Sequence, residues 1–319
     1  MTILAGIDEA GYGPILGPLV VSCTAFSVPD SLVAADMWAV LKKSVIKNRK
    51  HKSAKLLIAD SKKVYSKSIG IKYLQRASLA MLKCLGCEPQ TYNDVLSYLC
   101  PDCLGRLKKY PWHNTFENQQ IDCDRADIRI CSNVLMKDFE RNDIKLLMLR
   151  SVCLDTVYYN DLVEKVNNKA NVLFSAAADH LYKLWNDFPK DNLQVILDRQ
   201  GGRSHYRPAL QRIFSDVELS IIAEKENCST YELKKGSRTM RIHFVVGGDD
   251  KFLPVALASM LCKYVREILV ADINRYFLNL EPSLKPTAGY FKDGRRFLAD
   301  IKTYAPHIKY DANQLIRCR

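Results

Sequence analysis

The chain has 319 residues, of which 48% are hydrophobic and 26% charged, and its formal net charge is +12. This composition excludes a disordered chain, and no apolar run approaches the roughly 20 residues that a membrane-spanning helix needs. The positive charge favours a polyanionic partner, above all nucleic acid, although it also fits an ordinary soluble basic surface. The first residues, MTILAGIDEAG, lack the basic and uninterrupted apolar segments of a secretory signal, so the sequence predicts a cytoplasmic protein with no membrane partner.

The chain begins with two predicted strands. Residues 3–8 and 18–28 are rich in aliphatic and β-branched side chains, and a helix is predicted from about Lys67 to Leu85. Between them lies a basic run without any acid, which is typical of a solvated face and alternatively of a phosphate-binding patch. The run consists of Lys42, Lys43, Lys47, Arg49, Lys50, Lys52 and Lys55.

Residues 86–150 show little periodicity, and we interpret them as an insertion or subdomain. They separate a first core part, 1–85, from a second core part, 151–319, which ends in a helical segment. The periodicity of the second part predicts a helical region over 161–187, a strand over 193–198, a hairpin over 229–247 that turns at Lys235-Gly236-Ser237, and a long helix over 253–277. The sum is a mixed α/β protein.

The long helix carries an apolar stripe and a second, polar set of residues. Ser259, Lys263 and Arg266 are spaced i, i+4 and i+7, so they share a face opposite much of the stripe. A hydroxyl and two cations on one face indicate binding to a phosphate backbone. A solvated helix face is the alternative interpretation. The stripe consists of Val255, Ala258, Cys262, Val265 and Leu269.

The chain contains eleven cysteines, which without an export signal are expected to be mostly buried thiols. Cys84, Cys87, Cys100 and Cys103 have the spacing C-x2-C-x12-C-x2-C, which can hold Zn²⁺ in a tetrahedral thiolate site. The flanking sequence ASLAMLKCLGC reads as the end of an amphipathic helix instead and lacks a glycine-rich knuckle. Buried thiols are therefore favoured over a zinc site.

Acidic residues follow three of the predicted strands. Asp8 and Glu9 end the first strand, Asp198 ends the strand over 193–198, and Asp249-Asp250 follows the apolar run IHFVVGG. α/β folds place active sites at the carboxyl ends of sheet strands, and clustered carboxylates are costly to bury unless a cation compensates them. Mg²⁺ and Mn²⁺ prefer oxygen ligands. The set therefore predicts a divalent-metal site, although single acids can equally cap a helix or lie in a turn.

The pair Asp8-Glu9 raises a geometric question. Adjacent strand residues point to opposite faces, so both acids can reach one metal site only where the strand ends or bulges. The Gly11-Tyr12-Gly13 segment that follows is predicted to supply this irregularity and to bring its backbone against a ligand.

Four segments resemble the type 2 ribonucleases H, which comprise ribonucleases HII and HIII. GIDEAGYGPILGPLVV at 6–21 is similar to the first signature of that family, and DSKKV at 60–64 to its Asp-Ser-Lys-Lys-Leu motif. GDDKFLPVALASMLCKYVRE at 248–267 and AGYFKDGRRFL at 288–298 are similar to two later motifs. The matches follow the family order. Because the sequence starts at the first strand, we expect a protein like ribonuclease HII, without the N-terminal domain of ribonuclease HIII.

The resemblance implies a ribonuclease H-like mixed β-sheet flanked by helices, here with the insertion at 86–150. It implies hydrolysis of the RNA strand of RNA–DNA hybrids by two divalent ions, Mg²⁺ or Mn²⁺, leaving a 3′-hydroxyl and a 5′-phosphate. Carried over by position, the metal-binding and catalytic residues would be Asp8, Glu9, Asp198 and Asp249, with Asp249 favoured over Asp250. The implied substrate-binding residues are Gly11, Tyr12, Gly13, Lys62, Ser259, Lys263 and Tyr290.

The chain departs from the family pattern at three positions. Tyr12 stands where the family has Arg, which removes a cation from the loop. Arg199 stands where Gly is usual after the third acid, and Arg295 where His is usual, which bears on excision of single ribonucleotides. Two alternatives therefore stay open beside the hybrid nuclease: a nuclease of the same fold that acts on structured DNA, and a binding module without turnover. A zinc-ribbon adaptor would depend on the four cysteines alone.

Overall fold

The computed structural model describes residues 1–48, 55–114, 116–189, 192–200 and 203–318. The strands are β1 (Thr2–Ala10), β2 (Leu19–Val28), β3 (Val45–Ile46), β4 (Leu56–Leu57), β5 (Lys145–Leu154), β6 (Asn192–Asp198), β7 (Glu218–Lys225), β8 (Cys228–Lys235) and β9 (Arg238–Val245). The helices are α1 (Met37–Val40), α2 (Ser61–Val64), α3 (Lys72–Cys84), α4 (Tyr92–Leu99), α5 (Leu104–Leu107), α6 (Arg125–Arg141), α7 (Thr156–Val166), α8 (Lys169–Asp187), α9 (Arg207–Ile213), α10 (Gly248–Lys251), α11 (Leu253–Leu280), α12 (Phe291–Tyr304) and α13 (Ala312–Leu315).

Seven strands form one mixed sheet in the order β5-β2-β1-β6-β9-β8-β7, and β3 and β4 form a separate parallel pair. The three central strands β1, β6 and β9 are mutually parallel, whereas the outer pairings are antiparallel. Parallel neighbours end at the same edge of a sheet, so the carboxyl ends of β1, β6 and β9 lie side by side. The mixed sheet flanked by helices confirms the predicted fold class.

The two faces of the sheet bury different side chains because strand residues alternate in direction. Leu4 of β1 belongs to a core shared with α3, α6 and α11, whereas Ile3, Ala5 and Ile7 pack on the opposite side with α7 and α8. A third, smaller core joins the loop after β1 to α12 and the C-terminal end of α11. Residues of even number in β1, including Asp8, therefore face α11.

Helix α11 is buried on nearly every side between Leu253 and Val270. The apolar stripe is buried as predicted, but the alternative of a solvated opposite face is wrong, since Ser259, Lys263 and Arg266 are also buried. The reason is that the helix lies between the sheet and the loops after β1 and before α12. Its polar face is turned toward these loops and not toward solvent.

The segment 86–150 shares the core of the rest of the chain. Its helices α4 and α6 contribute Leu96, Leu99 and Leu135 to the core around α11, and its last residues, from Lys145, belong to edge strand β5. The division of the chain at 86 and 150 remains our prediction.

The predicted strands and helices of the core match observed elements within a few residues. The helical region over 161–187 consists of two helices, α7 and α8, which are separated at Asn167 in the left-handed conformation. The hairpin predicted around Lys235-Gly236-Ser237 is β8–β9, and Gly236 has a φ of 62°. Strand β7 was not predicted, because most of its side chains are exposed and show no alternation.

Two further expectations concern the surface. Among the described residues, no helix combines the length and the apolar character that crossing a membrane requires. Arg49, Lys50 and Lys52 of the basic run lie outside the described residues. Within the described part of that run, Lys47 pairs with Asp250 and Lys55 donates to the Lys42 carbonyl, so these lysines also have partners within the fold.

Candidate active site

The predicted acids meet at the carboxyl edge of the central strands. Asp198 is the last residue of β6, which pairs with β1 on one side and with β9 on the other. Asp249 lies in α10, the short turn of helix directly after β9. The four carboxylates interact electrostatically with one another. Asp8 interacts with Glu9, Asp198 and Asp249, and Glu9 interacts with Asp198 and Asp249.

Strand β1 does not bulge at Asp8 and Glu9 but ends at Ala10, directly after them, which is one of the two possibilities that the sequence left open. Its antiparallel pairing with β2 continues in regular register to Ala10, whereas its parallel pairing with β6 stops at Ile7. Both acids therefore extend beyond the paired end of β6, where neither is confined between two strands. The irregular backbone begins only at Gly11, which has a φ of 94°.

Asp8 is buried, with a relative exposure of 7%, on the face of β1 that packs against α11. Burial raises the pKa of its carboxyl well above the usual range, and the charge of Glu9 adds to this. The Ser259 hydroxyl hydrogen bonds to the carboxyl and acts in the opposite direction. The Ser259 hydroxyl oxygen also lies 3.0 Å from the Ser61 hydroxyl oxygen. Asp8 is therefore connected to α11 through Ser259, and through Ser259 to α2.

Glu9 and Asp198 share the same electrostatic environment. Burial raises the pKa of Glu9 to about 7, with the Asp198 charge as the next cause. Burial also raises the pKa of Asp198, although its carboxylate accepts a 2.7 Å hydrogen bond from the Gly248 N–H. That hydrogen bond fixes Asp198 against the turn that carries Asp249, so the ends of β6 and β9 are joined directly.

The two adjacent acids Asp249 and Asp250 differ sharply. Asp249 is 6% exposed, and burial together with the Asp60 charge raises its pKa to about 6. Asp250 is half-exposed and pairs with Lys63 at 2.6 Å and with Lys47 at 3.5 Å, which lowers its pKa. Asp249 is therefore the acid of the cluster, and Asp250 is an ion-pair partner on the surface.

Lys62 is the cation that faces these carboxylates. Its ammonium lies 4.0 Å from Asp249 and interacts with Asp8, Glu9 and Asp198 as well. The side chain is 84% exposed, so it reaches the cluster from the solvent side. Helix α2 holds Lys62 there, because Asp60 caps the helix and accepts the Lys62 N–H at 2.9 Å.

Sequence reasoning missed Asp60. Its side chain hydrogen bonds to the Asp249 carboxyl in addition to capping α2. A hydrogen bond between two carboxyl groups requires that one of them carries a proton. The motif DSKKV contains Asp60, and an acid directly before Ser-Lys is typical of a helix N-cap. A capping role, however, does not indicate that the same carboxyl contacts the carboxylate cluster.

The donor set fits hard divalent cations. All four predicted ligands are carboxylates, which Mg²⁺ and Mn²⁺ prefer, and their mutual repulsion is the penalty that bound cations would remove. Within the described ranges, no three His, Cys, Asp or Glu side chains are close enough together to enclose a metal ion. The carboxylates thus face one another at electrostatic range, and like charges of this kind approach further only when a cation compensates them.

We expect Mn²⁺ to stabilise the native protein. Binding at 100 times the dissociation constant contributes about 2.7 kcal/mol, which corresponds to a rise in Tm of several degrees. Asp8→Asn removes one of the two buried charges of the cluster, so its Tm should rise much less with Mn²⁺, whereas Asp250→Asn should respond like the native chain. Thermal denaturation with and without Mn²⁺ measures this. Equal shifts in the native chain and Asp8→Asn would locate the metal elsewhere.

A cavity of about 880 Å³ opens beside the carboxylates. Of the predicted substrate-binding residues, those that line it are Gly11, Tyr12, Gly13, Lys62, Lys263 and Tyr290. The remaining one, Ser259, is 3% exposed and lies beneath Asp8. Glu9 is part of the cavity wall, so a molecule in the cavity would touch the edge of the carboxylate cluster.

The loop after β1 is held by two arginines that come from distant parts of the chain. Arg317, next to the C-terminal end of the described chain, donates to the carbonyls of Gly11 and Tyr12. Arg266 donates to the carbonyls of Leu16 and Ala288. A Cβ on Gly11 would lie 2.4 Å from the Pro18 carbonyl oxygen and 2.9 Å from Arg266 Nε, so this loop position requires glycine.

Arg266 therefore does not have the phosphate-binding role that helix spacing suggested. It is fully buried, and its guanidinium also lies 3.1 Å from Glu267 Oε1. Its role is to attach two loops to α11. Spacing along a helix identified the shared face correctly, but it did not show that the loops cover that face.

Lys263 lies at the edge of the cavity and is nearly buried. Its ammonium is 2.6 Å from Glu267 Oε1 and lies over the ring of Tyr65. The Tyr65 hydroxyl donates to the other oxygen of Glu267 at 2.7 Å. The exposed ring of Tyr290 lies within 5.8 Å of the same ammonium. Lys263 is thus oriented by Glu267 and faces the cavity between two aromatic rings.

The residues that depart from the family pattern have defined partners. Arg199 turns away from the acids and donates to the Lys225 carbonyl at 3.0 Å and to the Ser229 hydroxyl at 3.2 Å, which attaches β6 to the β7–β8 turn. Arg295 lies over the ring of Phe291 in the first turns of α12. The ammonium of Lys169 lies over the Tyr12 ring, 5.1 Å from the ring centroid.

The four cysteines of the C-x2-C-x12-C-x2-C pattern do not come together. Cys84 donates to the Ser132 carbonyl and Cys87 to the Leu85 carbonyl, whereas Cys100 and Cys103 form a pair 3.7 Å apart. Within the part of the chain that the structure describes, no three of these thiols lie close enough together to hold a metal ion, so the spacing does not correspond to a tetrahedral thiolate site.

The fold and this edge define an α/β protein with a carboxylate cluster at the end of its central parallel strands. No protein-family model matches the chain, and no curated protein matches its sequence. The chain is similar over nearly its whole length to solved structures of ribonucleases HII and HIII, the family that the motifs resemble.

Three of these structures differ in how much of their own chain is matched by this chain. In the PCNA:RNase HII complex from Archaeoglobus fulgidus, the identity is 17% and the TM-score 0.48, over 99% of this chain and 94% of that chain. Bst-RNase HIII in complex with Mn²⁺ is 13% identical with a TM-score of 0.43, over 99% of this chain and 66% of that chain. Ribonuclease H2 from Pyrococcus horikoshii is 13% identical with a TM-score of 0.43, over 99% and 92%.

Proposed function

We propose that the protein is a metal-dependent endonuclease that hydrolyses the RNA strand of RNA–DNA hybrids. The observation that carries this proposal is the convergence of Asp8, Glu9, Asp198 and Asp249 at the carboxyl ends of three parallel strands, beside a cavity whose wall includes Glu9. The motifs around three of these acids resemble the type 2 ribonuclease H signatures in sequence and in order. The net charge of +12 fits a polyanionic substrate.

The carboxylates would hold two divalent ions. Such ions supply an activated water and compensate the charge that develops at the phosphorus. Ser259 holds Asp8 by a hydrogen bond, and the Gly248 N–H holds Asp198, so both acids are oriented before substrate arrives. This arrangement requires no histidine as a general base.

The chain's own residues would orient the substrate. Lys62 and Lys263 lie on the cavity wall, where each can contact a phosphate, and the exposed Tyr290 ring can stack on a base or sugar. The carbonyls of Gly11 and Tyr12 already accept from Arg317. We therefore propose that this loop contacts the ribose 2′-hydroxyl through its N–H groups, which is how the substrate strand would be identified as RNA.

A substrate panel tests the proposal. The purified protein is incubated with an RNA–DNA hybrid, duplex DNA, duplex RNA, branched DNA and a DNA duplex that contains one ribonucleotide, each with Mg²⁺ or Mn²⁺. We expect cleavage of the hybrid to products with 3′-hydroxyl and 5′-phosphate ends, and no cleavage by Asp8→Asn. Binding of the hybrid without cleavage would favour a binding module, and cleavage of branched DNA alone would favour the structure-specific nuclease.

A further inference from the structure

Three thiols meet at a place that the carboxylate cluster does not involve. Cys100 follows the last residue of α4, Cys103 lies just before α5, and Cys153 belongs to edge strand β5. Cys103 Sγ is 3.7 Å from Cys100 Sγ, which is hydrogen-bonding distance for sulfur, and it also hydrogen bonds to Cys153. All three residues are nearly buried, at 2%, 1% and 3% exposure.

The environment of Cys103 favours the thiolate. Hydrogen bonds with the Cys100 and Cys153 thiols, together with the nearby Arg106 charge, lower the pKa of Cys103, although burial opposes them. Cys84 and Cys87, in contrast, have raised pKa values because burial dominates there. Cys103 therefore differs from Cys84 and Cys87 in having a lowered pKa and in lying 3.7 Å from a second thiol.

A small cavity lies beside the three thiols. It has a volume of about 300 Å³, and its wall includes all three cysteines together with Arg106 and Arg150. A small neutral oxidant such as hydrogen peroxide fits this volume, and the arginines can stabilise the hydroxide that such an oxidant releases. The site thus combines a thiol of lowered pKa, a second thiol 3.7 Å away and an adjacent cavity.

We propose that Cys100 and Cys103 form a peroxide-reactive dithiol that closes reversibly to a disulfide. The Cys103 thiolate attacks one peroxide oxygen, the O–O bond breaks, and the released hydroxide takes up a proton to become water, which leaves a sulfenic acid on Cys103. The Cys100 sulfur then attacks the Cys103 sulfur as its own proton leaves with the departing hydroxide, which gives the disulfide and a second water. The two thiols are oxidised by two electrons, and one peroxide is reduced to two waters.

Cys100 is the preferred partner of Cys103 for a geometric reason. The two residues are three positions apart in the segment between α4 and α5, so their sulfurs can approach the ~2.05 Å of a disulfide by local rotation. Cys153 is fixed in β5, where Val20 of β2 is its registered partner. A bond to Cys153 would tie this segment to a strand of the sheet, whereas a bond to Cys100 stays within the segment.

The experiment maps the disulfide in the native protein. Reduced full-length protein is treated with one equivalent of hydrogen peroxide, denatured in N-ethylmaleimide and digested with trypsin. Cys84, Cys87, Cys100 and Cys103 all lie on the tryptic fragment 84–106, so fragmentation within this peptide locates the bond. We expect label on Cys84 and Cys87, a disulfide between Cys100 and Cys103, and recovery of four labelled cysteines after treatment with dithiothreitol.

Variants separate the roles of the two thiols. Cys100→Ser should stop at a Cys103 sulfenic acid that dimedone traps, Cys103→Ser should leave the fragment unoxidised, and Cys87→Ser should behave like the native chain. If the exposed Cys318 is oxidised while Cys100 and Cys103 both carry label, or if Cys103 joins Cys153, the proposal is overturned. Because the mapping on the native chain decides the matter, the proposal remains testable even where a Ser variant fails to fold.

Discussion

Asp249→Asn is expected to lower the rate of hybrid cleavage by on the order of 10³-fold, whereas Asp250→Asn should change it by less than about threefold. The two acids are adjacent in the chain, so the pair forms a matched comparison. Asp249 is buried beside Asp60, Asp198 and Lys62, and its loss removes a predicted metal ligand. Asp250 only forms surface ion pairs with Lys63 and Lys47.

The measurement is single-turnover cleavage of a labelled hybrid over a range of Mn²⁺ concentrations. Loss of a ligand should shift the metal dependence of Asp249→Asn to higher Mn²⁺ concentration as well as lower its maximal rate. Circular dichroism and Tm of both variants control for folding. If Asp250→Asn proves as inactive as Asp249→Asn, or if Asp249→Asn retains full activity, the assignment of Asp249 to the metal site is wrong.

The meeting of the three strand ends could be predicted because it depends on local patterns. Each acid directly follows an apolar run, and parallel buried strands in an α/β fold end at a common edge. Asp198 was the least secure of the four, since Arg199 departs from the family pattern. The structure explains how the position accepts arginine: the Arg199 side chain points toward the β7–β8 turn and leaves the edge free for Asp198.

The supporting contacts could not be predicted, because they join residues that are far apart in the chain. Arg317 and Gly11, whose hydrogen bond holds the loop after β1, are separated by 306 positions. Neither residue carries a local signal for the other. The burial of Arg266 could not be predicted from the sequence either. Its spacing on α11 is compatible with contact to solvent, to phosphate or to the loop carbonyls to which it donates.

The way in which Asp8 and Glu9 both reach the edge could be predicted only in part, for a related reason. The periodicity of a strand says where side chains point relative to each other, but it does not say where the neighbouring strand stops. Here β1 remains regular and β6 ends its pairing at Ile7. The position of a strand end relative to its neighbours is a property of the sheet register and not of the local sequence.

Gly6→Ala is expected to destabilise the protein by about 3 kcal/mol or more and to abolish hybrid cleavage with it. A Cβ on Gly6 would lie 2.2 Å from the Pro254 carbonyl carbon and 2.3 Å from the Val255 nitrogen. These are backbone atoms of the first turn of α11, so no side-chain rotation relieves the contact. The strand and helix would have to separate.

This contact matters for the site because the same interface orients Asp8. Gly6 and Asp8 lie on the face of β1 that meets α11, and Ser259, one turn beyond Pro254 and Val255, holds the Asp8 carboxyl. Gly105→Ala is the matched control, since an added Cβ there meets nothing within 4 Å and the backbone is helical, so its stability should stay within about 1 kcal/mol of native. Urea denaturation of both variants measures the difference. If Gly6→Ala were as stable as Gly105→Ala, α11 would not be pressed against β1 as closely as the structure shows, and the support of Asp8 by Ser259 would lose its basis.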